Sequence, residues 1–306
     1  MAHVYDMVII GGGPGGYSAA LYAARAGLDV VVLEKLSAGG QMALTHQVDN
    51  YPGFSEGIDG FTLGMQMQEG AERFGAKTEY AEVESVDLLA DPKRIETSEG
   101  TFYGKTVIYA AGAGPRELGL PEEKELVGRG VNYCAACDGM FYKGKTVVIV
   151  GGGNSAVADA LILSRVARKV ILVHRRDSLR AEKVYDKALR EAENLEFRWN
   201  SKVSRLLYDQ KVNGVRLQDV NSGEETELAC DGVFVSIGRN PNTALLQGQV
   251  NLDSQGYVEA GESCRTNISG VFAVGDVRTK ALRQIVTAAA DGAVAVHYAV
   301  EYLAEA

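Results

Sequence analysis

Apolar positions along the chain fall into two spacings, short unbroken runs of strand length and longer stretches with helical periodicity. Residues 4–10, Val-Tyr-Asp-Met-Val-Ile-Ile, read as a buried strand. The turn Gly11-Gly-Gly13-Pro14-Gly-Gly16 follows, and then a helical stretch over 17–26 that Gly27 ends. Residues 29–33 predict a second apolar strand, closed by Glu34. The same order returns further on. A strand over 145–150 leads into Gly151-Gly-Gly153-Asn154-Ser155-Ala156, a helix to about residue 168, and a strand over 169–173 closed by His174-Arg175-Arg176. The interval from the first glycine of the turn to the polar residue closing the second strand is the same in both copies.

The repeat extends further. Each copy continues with a helix, over 59–74 and 179–193, and then a meander of strands. Each meander ends in a buried run reaching a glycine: Val107-Ile-Tyr-Ala-Ala111-Gly112 and Val233-Phe-Val-Ser-Ile-Gly238. Two copies of one nucleotide-binding lobe are therefore expected. Residues 244–306 belong to neither copy. They hold one strand, over 270–276, and one Ala-rich helix, over 285–303, which cannot bury their apolar faces alone. They are expected to complete the first lobe and so make the second an insertion. The prediction is an α/β protein with two Rossmann-like dinucleotide-binding domains, residues 1–114 with 243–306 and residues 115–242, crossing near Gly114-Pro115 and Asn240-Pro241.

Composition narrows the function classes. A chain of 306 residues with 46% hydrophobic residues buries enough surface to fold without metal or disulfide staples. The net charge of −9 argues against nucleic acid and anionic membrane surfaces as partners. No apolar run reaches the roughly 18 residues of a membrane span. The start, Met1-Ala-His-Val-Tyr-Asp, leads straight into an apolar run with no basic start and no cleavage site, so no secretory signal is expected. Four cysteines do not make a disulfide framework in a chain this long, so a reducing, cytoplasmic setting is expected.

A glycine turn between strand and helix lets the backbone approach a pyrophosphate, and the helix N-terminus offers free N–H groups and partial positive charge. The signal is weak alone, but here each turn has the strand–turn–helix–strand context that gives it meaning. The second-strand ends differ in kind. Glu34 accepts hydrogen bonds from ribose hydroxyls and repels a 2′-phosphate, whereas His174, Arg175 and Arg176, joined by Arg180, suit one. The first lobe is thus expected to take FAD or NAD, and the second NADP(H). The rival reading is a pair of tight turns, one with a solvated basic end, that bind nothing. Ala156 stands in the third-glycine position and costs a little helix–strand closeness.

Cys134-Ala135-Ala136-Cys137-Asp138 precedes the second glycine turn. A CxxC pair closes a small redox-active disulfide, and an adjacent carboxylate is placed to shuttle a proton or to cap a helix. The alternative, half a zinc site, needs a second ligand pair. Cys230 and Cys264 are solitary, and His3, His46, His174 and His297 lack ligand spacing, so no metal is expected. A nicotinamide, a flavin and a disulfide together form one two-electron chain.

With these motifs the sequence resembles the low-molecular-weight thioredoxin reductases of the pyridine nucleotide-disulfide oxidoreductase family, over essentially its whole length. The resemblance rests on Gly11 to Gly16, Gly39-Gly40-Gln41-Met, Val48-Asp-Asn50-Tyr-Pro-Gly, Cys134 to Gly139, Gly151 to Ala156, His174-Arg-Arg-Asp with Arg180-Ala, and Gly275-Asp276 with Arg283-Gln284. It implies a homodimeric flavoenzyme with FAD and NADPH sites in each chain, acting on thioredoxin or a thioredoxin-like protein. By similarity Cys137 faces the flavin, Cys134 attacks the partner disulfide, and Asp138 donates the proton. Glu34, Gly40, Gln41, Asn50, Ala111, Gly112, Gly275, Asp276, Arg283 and Gln284 fall to the FAD site. Three positions depart from the pattern: Ala136 and Ala111 stand where Thr is common, and His46 occupies a stretch where Thr is frequent.

Both the nicotinamide and Cys137 belong to the second lobe and both must reach the flavin of the first. The two Gly/Pro crossings therefore suggest that the inserted lobe swings. Readings from other classes are a reductase of another thioredoxin-like protein, a ferredoxin-dependent reductase, a flavin dithiol oxidase that passes electrons to O₂, and a non-enzymatic redox sensor.

Overall fold

A computed structural model describes residues 3–45 and 47–305; His46 lies outside the described residues. The chain divides into two compact units. Unit 1 holds the residues up to Gly114 and those from Asn240 onward, and unit 2 is Pro115–Arg239.

Unit 1 begins with β1 (Val4–Ile10), α1 (Pro14–Arg25), β2 (Val30–Glu34), α2 (Gly60–Glu72) and β3 (Lys77–Tyr80). It continues through β4 (Val83–Asp87), β5 (Lys93–Thr97) and the long β6 (Gly100–Tyr109). The sheet runs β3-β2-β1-β6-β5-β4. The length of β6 lets it serve two partners on one edge. Its first half pairs antiparallel with β5, through Gly104 opposite Lys93, and its second half pairs parallel with β17 (Val271–Ala273), through Val107 opposite Val271. The strand from the C-terminal segment thus completes the parallel part of the sheet, and α6 (Ile285–Glu305) packs beside α1.

The period of two along β1 divides the core into layers. Met7 and Ile9 pack with Ala19, Ala20 and Ala23 of α1 and with Ala295 and Ala299 of α6. Val8 and Ile10 face the other way, onto Val107, Tyr109 and Val271. Alanine on both helices permits close approach. A Cβ on Gly292 of α6 would collide with the carbonyl oxygen of Gly15 at the start of α1. The helix therefore presses on the glycine turn itself.

Unit 2 repeats the scheme with β8 (Val131–Asn132), α3 (Ala135–Asp138), β9 (Thr146–Val150), α4 (Asn154–Ser164), β10 (Lys169–Val173), α5 (Asp186–Glu191), β11 (Leu195–Arg198) and β15 (Gly232–Val235). Its parallel sheet runs β11-β10-β9-β15-β8. The meander β12 (Ser201–Tyr208), β13 (Val212–Asp219) and β14 (Glu225–Ala229) forms a separate antiparallel sheet rather than joining the main one. The crossings are short strands, β7 (Ala113–Pro115) and β16 (Arg239–Pro241), paired with each other.

Two helices are shorter than their periodicity predicts. The helix expected over 179–193 is reduced to a 3-10 turn, Lys183–Tyr185, and the six-residue α5. The Arg180 N–H donates to Gly152 O at 2.7 Å. The side chain of Asn154 takes both the backbone N–H and the carboxylate of Glu182, each at 2.9 Å. These bonds tie residues 180–182 to the glycine turn, so no helix starts before them. The end of α4 at Ser164 also has a local cause. The Asn194 amide donates to the carbonyls of Ser164 and Ala167, both at 2.9 Å, and satisfies groups that a longer helix would have used.

Candidate active site

The first turn, in unit 1, is shaped by glycine at positions where nothing else fits. Gly11 has φ +105°, and a Cβ there would lie 2.6 Å from Ala110 O and 3.2 Å from Ala111 Cα. The turn thus lies just past the end of β6, against Ala110 and Ala111. The helix that follows starts at Pro14 with Gly13 as N-cap, and no side chain caps it. By contrast, α2 is capped by Asp59, which accepts the Thr62 N–H at 2.8 Å. An uncapped helix start opening from a glycine turn keeps its N–H donors available to an anionic ligand.

Other candidate residues gather around this turn. Gly39 N donates to Gly12 O at 2.8 Å, and a Cβ on Gly40 would lie 3.4 Å from Gly13 Cα. A Cβ on Gly114 would lie 3.8 Å from Gln41 Nε2. Glu34 accepts from Gly12 N at 2.7 Å and from Leu36 N at 3.0 Å, so its carboxylate is held over the turn. On the opposite side, a Cβ on Gly15 would lie 3.2 Å from Ala288 O and 3.7 Å from Gly275 N. Asn50 Nδ2 donates to Gln284 Oε1 at 3.0 Å, joining residues distant in sequence. Arg283 donates to Asp276 O at 3.3 Å and lies 4.0 Å from the Tyr257 ring.

A supporting group here escaped the sequence reading. Asp291 of α6 accepts from Gly275 N at 2.8 Å, from Arg278 at 2.6 and 2.9 Å, and from Lys280 at 2.7 Å. Burial pushes its carboxyl up, but the bonds from Arg278 and Lys280 outweigh that and hold it below the usual range. The available signal was its place on the inward row of α6, with Ala288, Gly292 and Ala295. An acid on the buried face of an Ala-rich helix needs a cationic partner.

The second turn, in unit 2, has the same construction. A Cβ on Gly151 would collide with Ser236 O, just past β15, and α4 begins after Gly153 with no side-chain cap. In both units the second glycine leaves room for the residue closing the second strand. Glu34 lies over Gly12, and the ring of His174 lies over Gly152. His174 is 5% exposed. Burial first, and then Arg180, Arg176 and Arg175, hold it below its usual pKa, so it stands as a neutral imidazole. The positive charge expected at this end comes from the exposed Arg175, Arg176 and Arg180, not from His174.

Cys134 and Cys137 are joined by a disulfide, with Cα atoms 5.3 Å apart. Cys134 is the N-cap of α3, and its sulfur accepts the Cys137 N–H at 3.2 Å. Asp138 closes this helix, and burial raises its carboxyl to about 6. It therefore exchanges a proton near neutrality, as an acid–base partner for a thiol must. Hydrogen bonds anchor both flanks of the motif. The Tyr133 hydroxyl donates to Glu123 at 2.8 Å, and Asn132 Nδ2 donates to Tyr142 Oη at 2.8 Å. Met140 and Phe141, which sequence reasoning passed over, lie just beyond and are 57% and 46% exposed. Two large exposed apolar side chains beside a disulfide are what an exchange partner would rest on. The other two cysteines are buried, with thiols pushed up to about 12 at Cys230 and about 11 at Cys264, which makes them inert. Among the described residues no group of three or more His, Cys, Asp or Glu is arranged to hold a metal ion. Among the same residues no helix is long and apolar enough to cross a membrane.

Comparison with known proteins gives the family and the fold. The family described as pyridine nucleotide-disulphide oxidoreductase matches residues 5–292. A thioredoxin reductase of Streptomyces clavuligerus is 47% identical over 308 residues, covering 99% of this chain and 95% of the relative. A thioredoxin reductase of Bacillus subtilis is 43% identical over 303 residues, covering 99% and 96%. The crystal structure of thioredoxin reductase from Streptococcus pyogenes superposes with a TM-score of 0.90 at 41% identity, covering 99% of each chain.

Proposed function

Since the chain belongs to the pyridine nucleotide-disulphide oxidoreductase family, we infer that it is a flavoprotein disulfide reductase that draws electrons from a pyridine nucleotide and reduces thioredoxin. One observation carries the reading. The Cys134–Cys137 disulfide, with Asp138 poised near neutrality, shares a unit with a glycine turn and with the arginines that follow β10.

In finer detail, unit 1 holds FAD and unit 2 holds NADPH. The fit in unit 1 is the uncapped start of α1 for the pyrophosphate and Glu34 for a ribose without a 2′-phosphate. In unit 2 the uncapped start of α4 takes the pyrophosphate, and Arg175, Arg176 and Arg180 take the 2′-phosphate. Bound FAD supplies the two-electron relay between nicotinamide and disulfide.

The protein's own part is thiol and proton chemistry. Once Cys134 and Cys137 are a dithiol, the Cys134 thiolate attacks one sulfur of the thioredoxin disulfide, and a mixed disulfide forms. Asp138 takes the proton that Cys134 gives up and returns it to the sulfur that leaves. Cys137 then attacks Cys134, and its own proton passes to the second thioredoxin sulfur as that sulfur leaves, which restores the internal disulfide and releases thioredoxin as its dithiol. Met140 and Phe141 form the apolar ledge on which thioredoxin rests. Because the disulfide and the nicotinamide site both belong to unit 2, the cycle alternates which of them is served, and a covalent lock between the units abolishes turnover while leaving one half-reaction. A homodimer, with Leu36, Leu44 and Phe61 of unit 1 as exposed apolar candidates for its interface, and a cytoplasmic setting complete the reading.

The deciding experiment is anaerobic NADPH oxidation coupled to thioredoxin reduction, with wild type beside Cys134→Ser. Wild type reduces thioredoxin. The variant still bleaches its flavin with NADPH but leaves thioredoxin oxidised. A variant that reduced thioredoxin normally would refute the role of Cys134.

A further inference from the structure

A polar pair at the second turn has no part in the chemistry above. Ser236 is the first residue past β15, and its carbonyl borders Gly151. Its hydroxyl donates to Asp159 Oδ2 at 2.6 Å. Asp159 is on α4, next to the fully buried Ala160 but itself partly open to solvent. The Arg239 guanidinium favours its ionised form. The carboxylate is thus on the flank of α4, held by a serine at the end of β15 and facing one cation.

Its place in the sheet indicates what it meets. The strands run β11-β10-β9-β15-β8, with their C-terminal ends on one edge. A dinucleotide whose pyrophosphate sits on the β9–α4 turn sends its two halves to opposite sides of β9. The arginines following β10 take the half that bears the 2′-phosphate. The other half then extends towards β15, where Ser236 and Asp159 stand. That half ends in a nicotinamide ring, whose carboxamide donates two N–H bonds and accepts at its oxygen. A carboxylate that has received one hydroxyl keeps further lone pairs for an amide N–H.

On the premise that unit 2 holds NADPH, we propose that Asp159, held by Ser236, receives the carboxamide N–H₂ of the nicotinamide and is the residue that distinguishes this ring from a close analogue. Asp159 touches the cofactor, and Ser236 is a positioning residue that fixes the carboxylate. One end of the cofactor is thus recognised by its phosphate and the other by its amide. The two elements, at the ends of β10 and β15, are on either side of the pyrophosphate turn.

Calorimetric titration of the oxidised, FAD-loaded protein tests this with three probes. These are NADP⁺, its 3-acetylpyridine analogue, in which a methyl group replaces the amide NH₂, and 2′,5′-ADP, which lacks the nicotinamide half. Wild type is expected to prefer NADP⁺ to the analogue. Asp159→Ala should weaken NADP⁺ by about tenfold or more, leave 2′,5′-ADP within about twofold, and erase the preference over the analogue. Ser236→Ala should move all three probes in the same directions by less, and it covers the case in which Asp159→Ala fails to fold. Asp159→Asn, which keeps an acceptor oxygen, should recover part of the loss. If NADP⁺ and 2′,5′-ADP weaken in parallel, or if wild type binds NADP⁺ and the analogue equally, the amide contact does not exist. If wild type does not bind 2′,5′-ADP at all, the NADPH reading itself fails, which is a different result from loss of the amide contact alone.

Discussion

The two glycine turns are alike in the helix starts that suit a phosphate and unlike at the strand ends beside them. Each follows a buried parallel strand, begins with a positive-φ glycine against a neighbouring strand end, and opens into a helix that no side chain caps. In each the second glycine makes room for the residue closing the second strand. There the likeness ends. In unit 1 that residue is an acid whose two oxygens already take backbone N–H groups; in unit 2 it is a neutral imidazole followed by exposed arginines. A pyrophosphate demands the same N–H geometry whichever nucleotide carries it, so that part of the lobe has little freedom. The residues closing the second strand are what would tell one nucleotide from another, and there the two copies have opposite charge. The meander also differs, joining the main sheet in unit 1 and forming its own in unit 2. Neither arrangement alters the turn.

The disulfide is the sharpest difference between the units, and removing it has the largest expected effect. Cys134→Ser should reduce thioredoxin turnover by about a thousandfold or more while the flavin is still bleached by NADPH, followed by absorbance in a stopped-flow experiment. Next in size is the exchange of ribose ends. Arg175→Ala with Arg176→Ala should weaken NADPH about a hundredfold, one charge-assisted bond for each arginine, and leave NADH unchanged, as measured by KM. Glu34→Ala should do the reverse, keeping NADPH affinity while the purified protein loses its flavin absorbance. If the arginine pair altered flavin content instead, the assignment of nucleotides to units would be wrong.

Much of this division was legible in the chain because it rests on local pattern. The apolar runs of β1, β2, β9 and β10, the glycines after β1 and β9, and the residues closing β2 and β10 are all near neighbours in sequence. The closing strand β17 and helix α6 were legible for another reason, since neither can bury its apolar face without a partner. What escaped notice depends on contacts between distant residues. Nothing in residues 179–193 announces that Asn154 will grip Glu182 and shorten the helix. Nothing near His174 says that the ring will be buried over Gly152 and so kept neutral. The buried bonds from Arg278 and Lys280 to Asp291 cross between a loop and α6, and only the inward position of that acid hinted at them.

Asp138 offers a test of intermediate size, and its sign follows from its environment. An unfolded carboxyl titrates near 3.8, and the folded one is raised to about 6. The folded protein therefore binds more protons between those values. Its stability is full below the lower value, is lost as pH rises towards 6, and stays reduced above. Asp138→Asn removes that penalty and should stabilise the protein at pH 8 by at most about 3 kcal/mol, with no gain at pH 3. Denaturant melts at the two pH values measure it. The same variant should turn over thioredoxin about a hundredfold more slowly and lose the fall in kcat expected of wild type as pH drops below about 6. No corresponding stability gain is expected from removing Asp291 in unit 1, because its carboxyl is held low by its cations and the same reasoning makes its loss destabilising.

The smallest effect concerns the two exposed apolar side chains beside the disulfide. Met140 and Phe141 are exposed at a point where burial would be expected of such side chains, and neither touches the sulfur chemistry. Truncating one of them removes contact area that exists only when thioredoxin is seated. Phe141→Ala should therefore raise the KM for thioredoxin by roughly three- to tenfold, the value of burying part of an aromatic ring, and leave kcat unchanged. Reduction of a small disulfide such as 5,5′-dithiobis(2-nitrobenzoate), which needs no ledge, should be unaffected. If instead Phe141→Ala slowed both substrates equally, the ring would be supporting α3 and the disulfide, and the landing surface for thioredoxin would have to be sought elsewhere on unit 2.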